Sequence, residues 1–240
     1  MRATGIGSLP FRSLERARAL VERFELPFLP ELPNLDPKDL LLERPFTGTP
    51  GPGLALLEAT KALEVKVQLA GPTVLATWTK EDPKRILERV EEMTRTLLAR
   101  LPGRKVIVFL DEPGLERPSP SLAEAVARVR ALGAHEVGIH DCGPGFKHAI
   151  AARPDYLSFD LAFFAPDAQV TEFVAGGGKL SFGAVSTTAP HDQGRVLRLL
   201  RSFPPWLLAG ALVTPACGTA LLDEDRAERL HLEALEIARA

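Results

Sequence analysis

Only two cysteines, Cys142 and Cys217, occur in this chain of 240 residues, and Asn34 is its only asparagine. Two thiols are too few for a disulfide framework, and in a reducing compartment such thiols serve as free groups or metal ligands. A secretory origin is not expected, because Met1-Arg2-Ala3-Thr4-Gly5 lacks the apolar core of a signal peptide. No run approaches the roughly 18 apolar residues of a membrane span, so no span is predicted and the chain reads as cytoplasmic. Blocks of lysine or arginine are also missing, and with a net charge of -2 there is no electrostatic footprint for nucleic acid or a membrane surface. A small-molecule partner is therefore expected. The scarcity of asparagine, with three glutamines and 21 arginines against 8 lysines, fits a protein from a hot environment.

What is present is 45% hydrophobic and 25% charged residues, enough for one large core. Short β-rich runs alternate with helical stretches in eight units. The runs are Thr4 to Gly7, Leu26 to Leu29, Glu64 to Leu69, Lys105 to Leu110, Glu136 to Ile139, Tyr156 to Phe159, Leu180 to Ala184 and Leu207 to Val213. Helices are expected near Ser13 to Arg23, Pro37 to Leu42, Pro83 to Arg100, Ser121 to Leu132, Phe146 to Ala152, Ala168 to Ala175, Gln193 to Arg201 and Glu224 to Ala238. Runs as apolar as Val106-Ile107-Val108-Phe109-Leu110 suit parallel strands covered on both faces. Eight such units predict a single α/β domain over residues 1–240, a (β/α)8 TIM barrel, with a doubly wound open sheet as the alternative. Asp82-Pro83 and Ser119-Pro120 supply a capping residue followed by proline in the first helical position. The segment Thr47 to Gly53, rich in proline and glycine, reads as a loop over the barrel mouth.

Polar residues follow the strands where a barrel carries its chemistry, at the C-terminal face. Ser8, Glu31, Asp111-Glu112, His140 with Cys142, Asp160, Ser186 and Cys217 each fall just beyond a different predicted strand. His140-Asp141-Cys142 leaves its strand with two ligating side chains aimed into one space, and Cys217 can complete three protein ligands. Three ligands and one open position form the catalytic arrangement of zinc. Two buried thiols near an unrelated histidine remain the alternative on spacing alone.

Read together, these segments resemble the catalytic C-terminal barrel of cobalamin-independent methionine synthase, in the superfamily that includes uroporphyrinogen decarboxylase and corrinoid-dependent methyltransferases. Thr4-Gly5-Ile6-Gly7-Ser8 is similar to the family's Ile-Gly-Ser opening, and Leu69-Ala70-Gly71-Pro72-Thr73-Val74-Leu75 with Trp78 to its Thr-Gly-Pro segment. Leu110-Asp111-Glu112-Pro113 resembles its Ile-Asp-Glu-Pro, and His140, Cys142 and Cys217 match its zinc ligands. The resemblance implies a Zn2+ site that binds a homocysteine-like thiol and holds it as the thiolate nucleophile for a methyl group. It implies further that the substrate carboxylate meets Ser8 and that its ammonium meets Glu31 and Asp111, with Glu112 beside them. Trp78 would offer a stacking surface to a pterin. A turn or capping role is the other reading for Ser8, a rigid proline-bounded loop that for Glu31, and a plain chain turn after the strand that for Asp111-Glu112.

The departures from the family bear on mechanism. Its fourth zinc ligand is a glutamate, whereas Tyr156-Leu157-Ser158-Phe159 ends in Asp160, the expected substitute. Its Asp-x-His, associated with protonating the folate leaving nitrogen, is replaced by Ser186 and Thr188, and a hydroxyl is no general acid near neutral pH. His191, three residues on, is the candidate replacement acid, or an ordinary loop histidine. The family's large N-terminal domain has no counterpart in these residues. A methyl-corrinoid, free or carried on a partner corrinoid protein, or methyltetrahydrofolate is the expected donor. A uroporphyrinogen-decarboxylase-like enzyme and a non-catalytic zinc-binding barrel are the rival readings, and Pro10-Phe11-Arg12-Ser13 does not reproduce the decarboxylase arginine motif.

Overall fold

The apolar runs pair side by side into one curled sheet, all of whose strands are parallel. The computed structural model describes residues 1–188 and 192–240, with the side chain of Gln193 also left out. The strands are β1 (Arg2–Ala3), β2 (Glu64–Ala70), β3 (Lys105–Asp111), β4 (Glu136–His140), β5 (Tyr156–Asp160), β6 (Lys179–Val185) and β7 (Leu212–Pro215). Their order is β1-β7-β6-β5-β4-β3-β2, so the first strand returns beside the last.

The result is a seven-stranded partial barrel, where eight regular strands were expected. The missing one is the run Leu26 to Leu29. It lies between β1 and β2 but makes only isolated parallel bridges, Phe28 to Lys66 and Ser8 to Glu31. Its bonds are nonetheless well formed: Leu29 N–H donates to Lys66 O at 2.9 Å, and Glu31 N–H to Gly7 O at 2.9 Å. Pro27 and Pro30 have no N–H to donate, so a continuous ladder cannot run through this segment. β1 is likewise shorter and earlier than the expected Thr4 to Gly7, a run that ends in a Gly7 of φ +97°, outside the pleat.

Alternation along the strands divides their side chains into two rows. Val65, Val67, Leu69, Val106, Val108, Leu110, Val137, Ile139, Leu157 and Phe159 face the helices and join the main core. Ile107, Phe109, Tyr156 and Leu212 face inward and pack with Leu26 in a second, smaller cluster. Gly138 is required in that inner layer, since a Cβ there would lie 2.6 Å from the Phe109 ring. The inward row continues toward the C-terminal ends of the strands as Gln68, Asp111, His140, Ser158 and Asp160.

The outer layer contains α1 (Leu14–Val21), α2 (Arg44–Thr47), α3 (Gly53–Ala59), α4 (Pro72–Thr79), α5 (Pro83–Arg100), α6 (Pro120–Ala131), α7 (Ala168–Ala175), α8 (Gln193–Ser202), α9 (Pro205–Leu208) and α10 (Glu224–Arg239). α5 and α6 begin as their capping prolines predict, with Asp82 and Ser119 accepting from Lys84 N and Leu122 N. Phe146 to Ala152 winds as a 3-10 helix, Pro37 to Leu42 remain in turns outside any helix, and Leu207 belongs to α9 rather than to a strand. The expected mouth loop ends in α3. Four helices, α2, α3, α4 and α9, were not anticipated.

Between the bridged segment and β2, residues 32–59 cover one side of the barrel mouth. A buried ion pair holds this cover in place: Arg44 Nε donates to Asp39 Oδ1 at 2.7 Å and Arg44 Nη2 to Pro30 O at 3.1 Å. Asp39 Oδ2 in turn accepts from Leu32 N at 2.8 Å. Asp39→Ala would leave the guanidinium buried without its partner, and should lower the unfolding free energy by about 3–5 kcal/mol. Denaturant unfolding of the variant beside the parent protein checks this; an unchanged midpoint would show that the pair does not hold the cover.

Candidate metal centre and its cavity

β4 ends at His140, and the chain then turns sharply through Asp141 to Cys142. Asp141 makes that turn. Its Oδ1 accepts from Gly143 N at 2.8 Å and Gly114 N at 3.2 Å, and its Oδ2 from Leu115 N at 3.3 Å, which fixes the loop after β4 against the loop after β3. The His140 ring is oriented from the neighbouring strand: Ser158, its register partner on β5, has its hydroxyl 2.9 Å from Nδ1. With Nδ1–H donated to Ser158, the lone pair sits on Nε2, which is buried and has no protein partner.

Cys217 arrives from the turn after β7, a segment tied to β6 by Ala216 N–H donating to Val185 O at 2.8 Å. Its Sγ lies 3.8 Å from Cys142 Sγ. One ligand atom from each of His140, Cys142 and Cys217 falls within 4.8 Å of the other two. Two thiols and an unpartnered imidazole nitrogen form a soft donor set suited to zinc. The donor set therefore fits the metal. Asp160, at the end of β5, lies outside this trio; its Oδ1 accepts from Ala162 N at 2.8 Å. His191 lies outside the described residues. Ser186 is buried just after β6, and Thr188 is exposed.

The hydrogen bond from Cys142 and the nearby His140 pull the Cys217 thiol down to about 4, far below an ordinary cysteine. The same contact pushes Cys142 upward, since two adjacent thiols do not readily ionise together. Burial acts to lower His140, but the Cys217 thiolate and Asp111 outweigh it and raise the imidazole.

A cavity of about 620 Å³ opens over these groups. Its floor presents Glu31, Gln68, Asp111, His140, Cys142 and Cys217, Ser8 stands at one side, and Leu40, Trp78 and Leu221 form an apolar rim. Trp78 is 68% exposed on α4, with its indole free to meet a ligand entering from outside. Asp111 Oδ1 is buried without a partner, and burial pushes this carboxyl up to about 6 against the pull of His140 and Lys66. Burial lifts Glu31 to about 7, against Arg44, whose Nη1 lies 4.0 Å away.

Glu112 does not line the cavity. Its two oxygens accept from Thr73 N and Val74 N, each at 2.8 Å, and so cap the N-terminus of α4, although burial still raises it to about 7. It was expected to meet substrate; here its carboxylate is engaged by the α4 amides. Ser8, Glu31, Trp78 and Asp111 do meet at one cavity with the trio, and sequence reasoning overlooked Lys66, Gln68, Asp141 and Ser158. The two on β2 carried a signal, because Glu64-Val65-Lys66-Val67-Gln68 alternates polar with apolar inside a strand expected to be covered on both faces.

A second trio, Glu64, His135 and Glu136, gathers at the opposite ends of the strands, where its carboxylates are already paired with Arg2 and Lys179. No family model matches the chain, and no curated protein matches it.

Two acids with raised pKa values are anionic above those values and lose their charge as pH falls through about 7 and about 6. A thiol carrying an ammonium group should therefore lose its affinity advantage over the same thiol without one as pH is lowered through this range. Taking the ratio cancels the thiol deprotonation that both ligands share. Titration calorimetry of both thiols across pH measures it, and a ratio independent of pH would remove Glu31 and Asp111 from cation recognition.

Proposed function

We propose that this protein is a zinc-dependent thiol methyltransferase of the methionine synthase type, a cytosolic single-domain partial α/β barrel that methylates homocysteine or a closely related aminothiol. The observation that carries this reading is the convergence of His140, Cys142 and Cys217 to within 4.8 Å at the floor of a cavity that also presents two buried acids. Zinc held by these three residues supplies a Lewis acid that keeps a substrate thiol deprotonated at neutral pH. The chain's own groups do the rest. Asp111 and Glu31 receive the substrate ammonium, the Ser158 hydroxyl holds the His140 ring with Nε2 toward the sulfur site, and the apolar walls exclude water from the thiolate. In the reaction a sulfur–methyl bond forms, the donor–methyl bond breaks and the thiol proton passes to solvent. The acidic floor opposes a porphyrinogen, whose several carboxylates it would repel.

The donor is inferred from what stands after β6. Ser186 and Thr188 offer no proton to a departing folate nitrogen, whereas a corrin cobalt departs without one. Trp78, Leu40 and Leu221 at the rim suit a broad apolar ring system brought from outside, free or carried on a corrinoid protein.

Metal analysis of protein purified without chelator should find about one zinc per chain, and Cys142→Ser or Cys217→Ser should release it. Homocysteine methylation should proceed faster from methylcobalamin than from methyltetrahydrofolate, by about 10²-fold or more if no acid replaces the family's pair. Zinc-free protein, or zinc-loaded protein inactive with both donors, would refute the proposal. Efficient folate turnover abolished by His191→Ala would keep the enzyme but restore a protonated folate donor.

A further inference from the structure

Lys66 is an unusual occupant of a barrel interior: an ammonium on β2 with only 1% of the residue exposed. Its Nζ donates to Gly5 O at 2.9 Å and to Gln68 Oε1 at 2.6 Å, and stands 4.6 Å from the centroid of the Phe109 ring. A lysine ammonium only donates, so the amide oxygen of Gln68 must face it. This fixes the polarity of the amide. The Gln68 NH2 group is thereby turned to the other side, where one of its hydrogens makes a long 3.4 Å contact with Glu31 Oε1.

The NH2 group also lies against Gly7. A Cβ at Gly7 would come within 2.4 Å of Gln68 Nε2, and the backbone there holds φ +97°, so the loop is shaped around this nitrogen. Ser8 follows directly, and both Ser8 and Gln68 line the cavity. On the same floor Asp111 Oδ1 is buried without a partner. A hydrogen-bond donor of fixed polarity and an unpartnered carboxylate oxygen thus share one largely apolar enclosure.

We infer that Gln68 is a specificity-determining residue that donates an N–H to the carboxylate of the bound thiol, and that Lys66 is its positioning residue, holding the amide so that it cannot present its oxygen. The consequence is selection of a zwitterionic α-amino-acid thiol, with its ammonium at Asp111 and Glu31 and its carboxylate between Ser8 and Gln68. Alternating charges along the floor in this way offsets the repulsion that Glu31 alone would exert on a carboxylate. This inference rests on the proposed thiol site and adds to it the contact that distinguishes an amino acid from a simple amine.

The test compares L-homocysteine with homocysteamine, the same aminothiol without the carboxylate, by calorimetric titration of zinc-loaded protein. The parent protein should bind homocysteine at least about tenfold more tightly, the scale of one hydrogen bond to a charged group. Gln68→Leu should bring the two affinities to within about threefold, chiefly by weakening homocysteine. Lys66→Met should also narrow the ratio although the lysine touches no ligand, which a merely structural role would not do. Thermal unfolding and zinc content of each variant report whether it has folded, and if Lys66→Met has not, Gln68→Leu decides. A ratio unchanged in Gln68→Leu overturns the inference and leaves the thiol site intact. Failure of the parent protein to bind either thiol would instead overturn the thiol reading, and this assignment with it.

Discussion

The curl of the parallel sheet brings the ends of β4 and β7 together, and the candidate metal centre depends on it. Cys142 and Cys217 are separated by 75 positions along the chain, yet their sulfurs lie 3.8 Å apart. Because β1 pairs with β7, the last strand is held by neighbours on both sides, and the turn carrying Cys217 is aimed over the inner row rather than splayed away from it. The same curvature collects the inward side chains of β2, β3, β4 and β5 beneath one opening. The proline-interrupted segment from Pro27 to Glu31 completes the wall with bridges alone, held by Leu29 N–H donating to Lys66 O, Lys66 N–H to Pro27 O and Glu31 N–H to Gly7 O.

Burying so many ionisable groups under one cavity has an electrostatic cost that the floor offsets by pairing. Arg44 stands against Asp39 and Glu31, Lys66 faces Glu31 and Asp111, and Glu112 is held by the amides that open α4. Among the described residues, buried side-chain atoms of Arg44, Asp111, His140, Ser181 and His231 lack a partner, and of these only Asp111 Oδ1 and His140 Nε2 belong to residues that line the cavity. At the cavity, a cationic ligand and a metal would satisfy both.

The parts of this arrangement that could be read from sequence were those whose chemistry is local. His140-Asp141-Cys142 at the end of a strand and a distant Cys217 announce themselves by residue type, and Asp82-Pro83 announces α5. Asp111-Glu112 was legible as an acidic pair but not as two roles. Consecutive residues leaving a strand point to opposite sides, so Asp111 faces the cavity while Glu112 reaches outward to α4. α4 itself was hidden because its cap comes from a residue 39 positions away rather than from its own first turn. Lys66 and Gln68 were overlooked because a strand covered on both faces was expected to carry no polar row. The eighth strand failed for a backbone reason, the two missing amides at Pro27 and Pro30, which outweighed the apolar character of the run.

X-ray absorption spectroscopy of zinc-loaded protein addresses the central claim directly, because it reads the identity of the ligands rather than the consequences of losing them. Two sulfurs at about 2.3 Å with nitrogen or oxygen completing the shell are predicted, rising to three sulfurs when homocysteine is added. A shell without sulfur, or one that homocysteine leaves unchanged, would contradict the account.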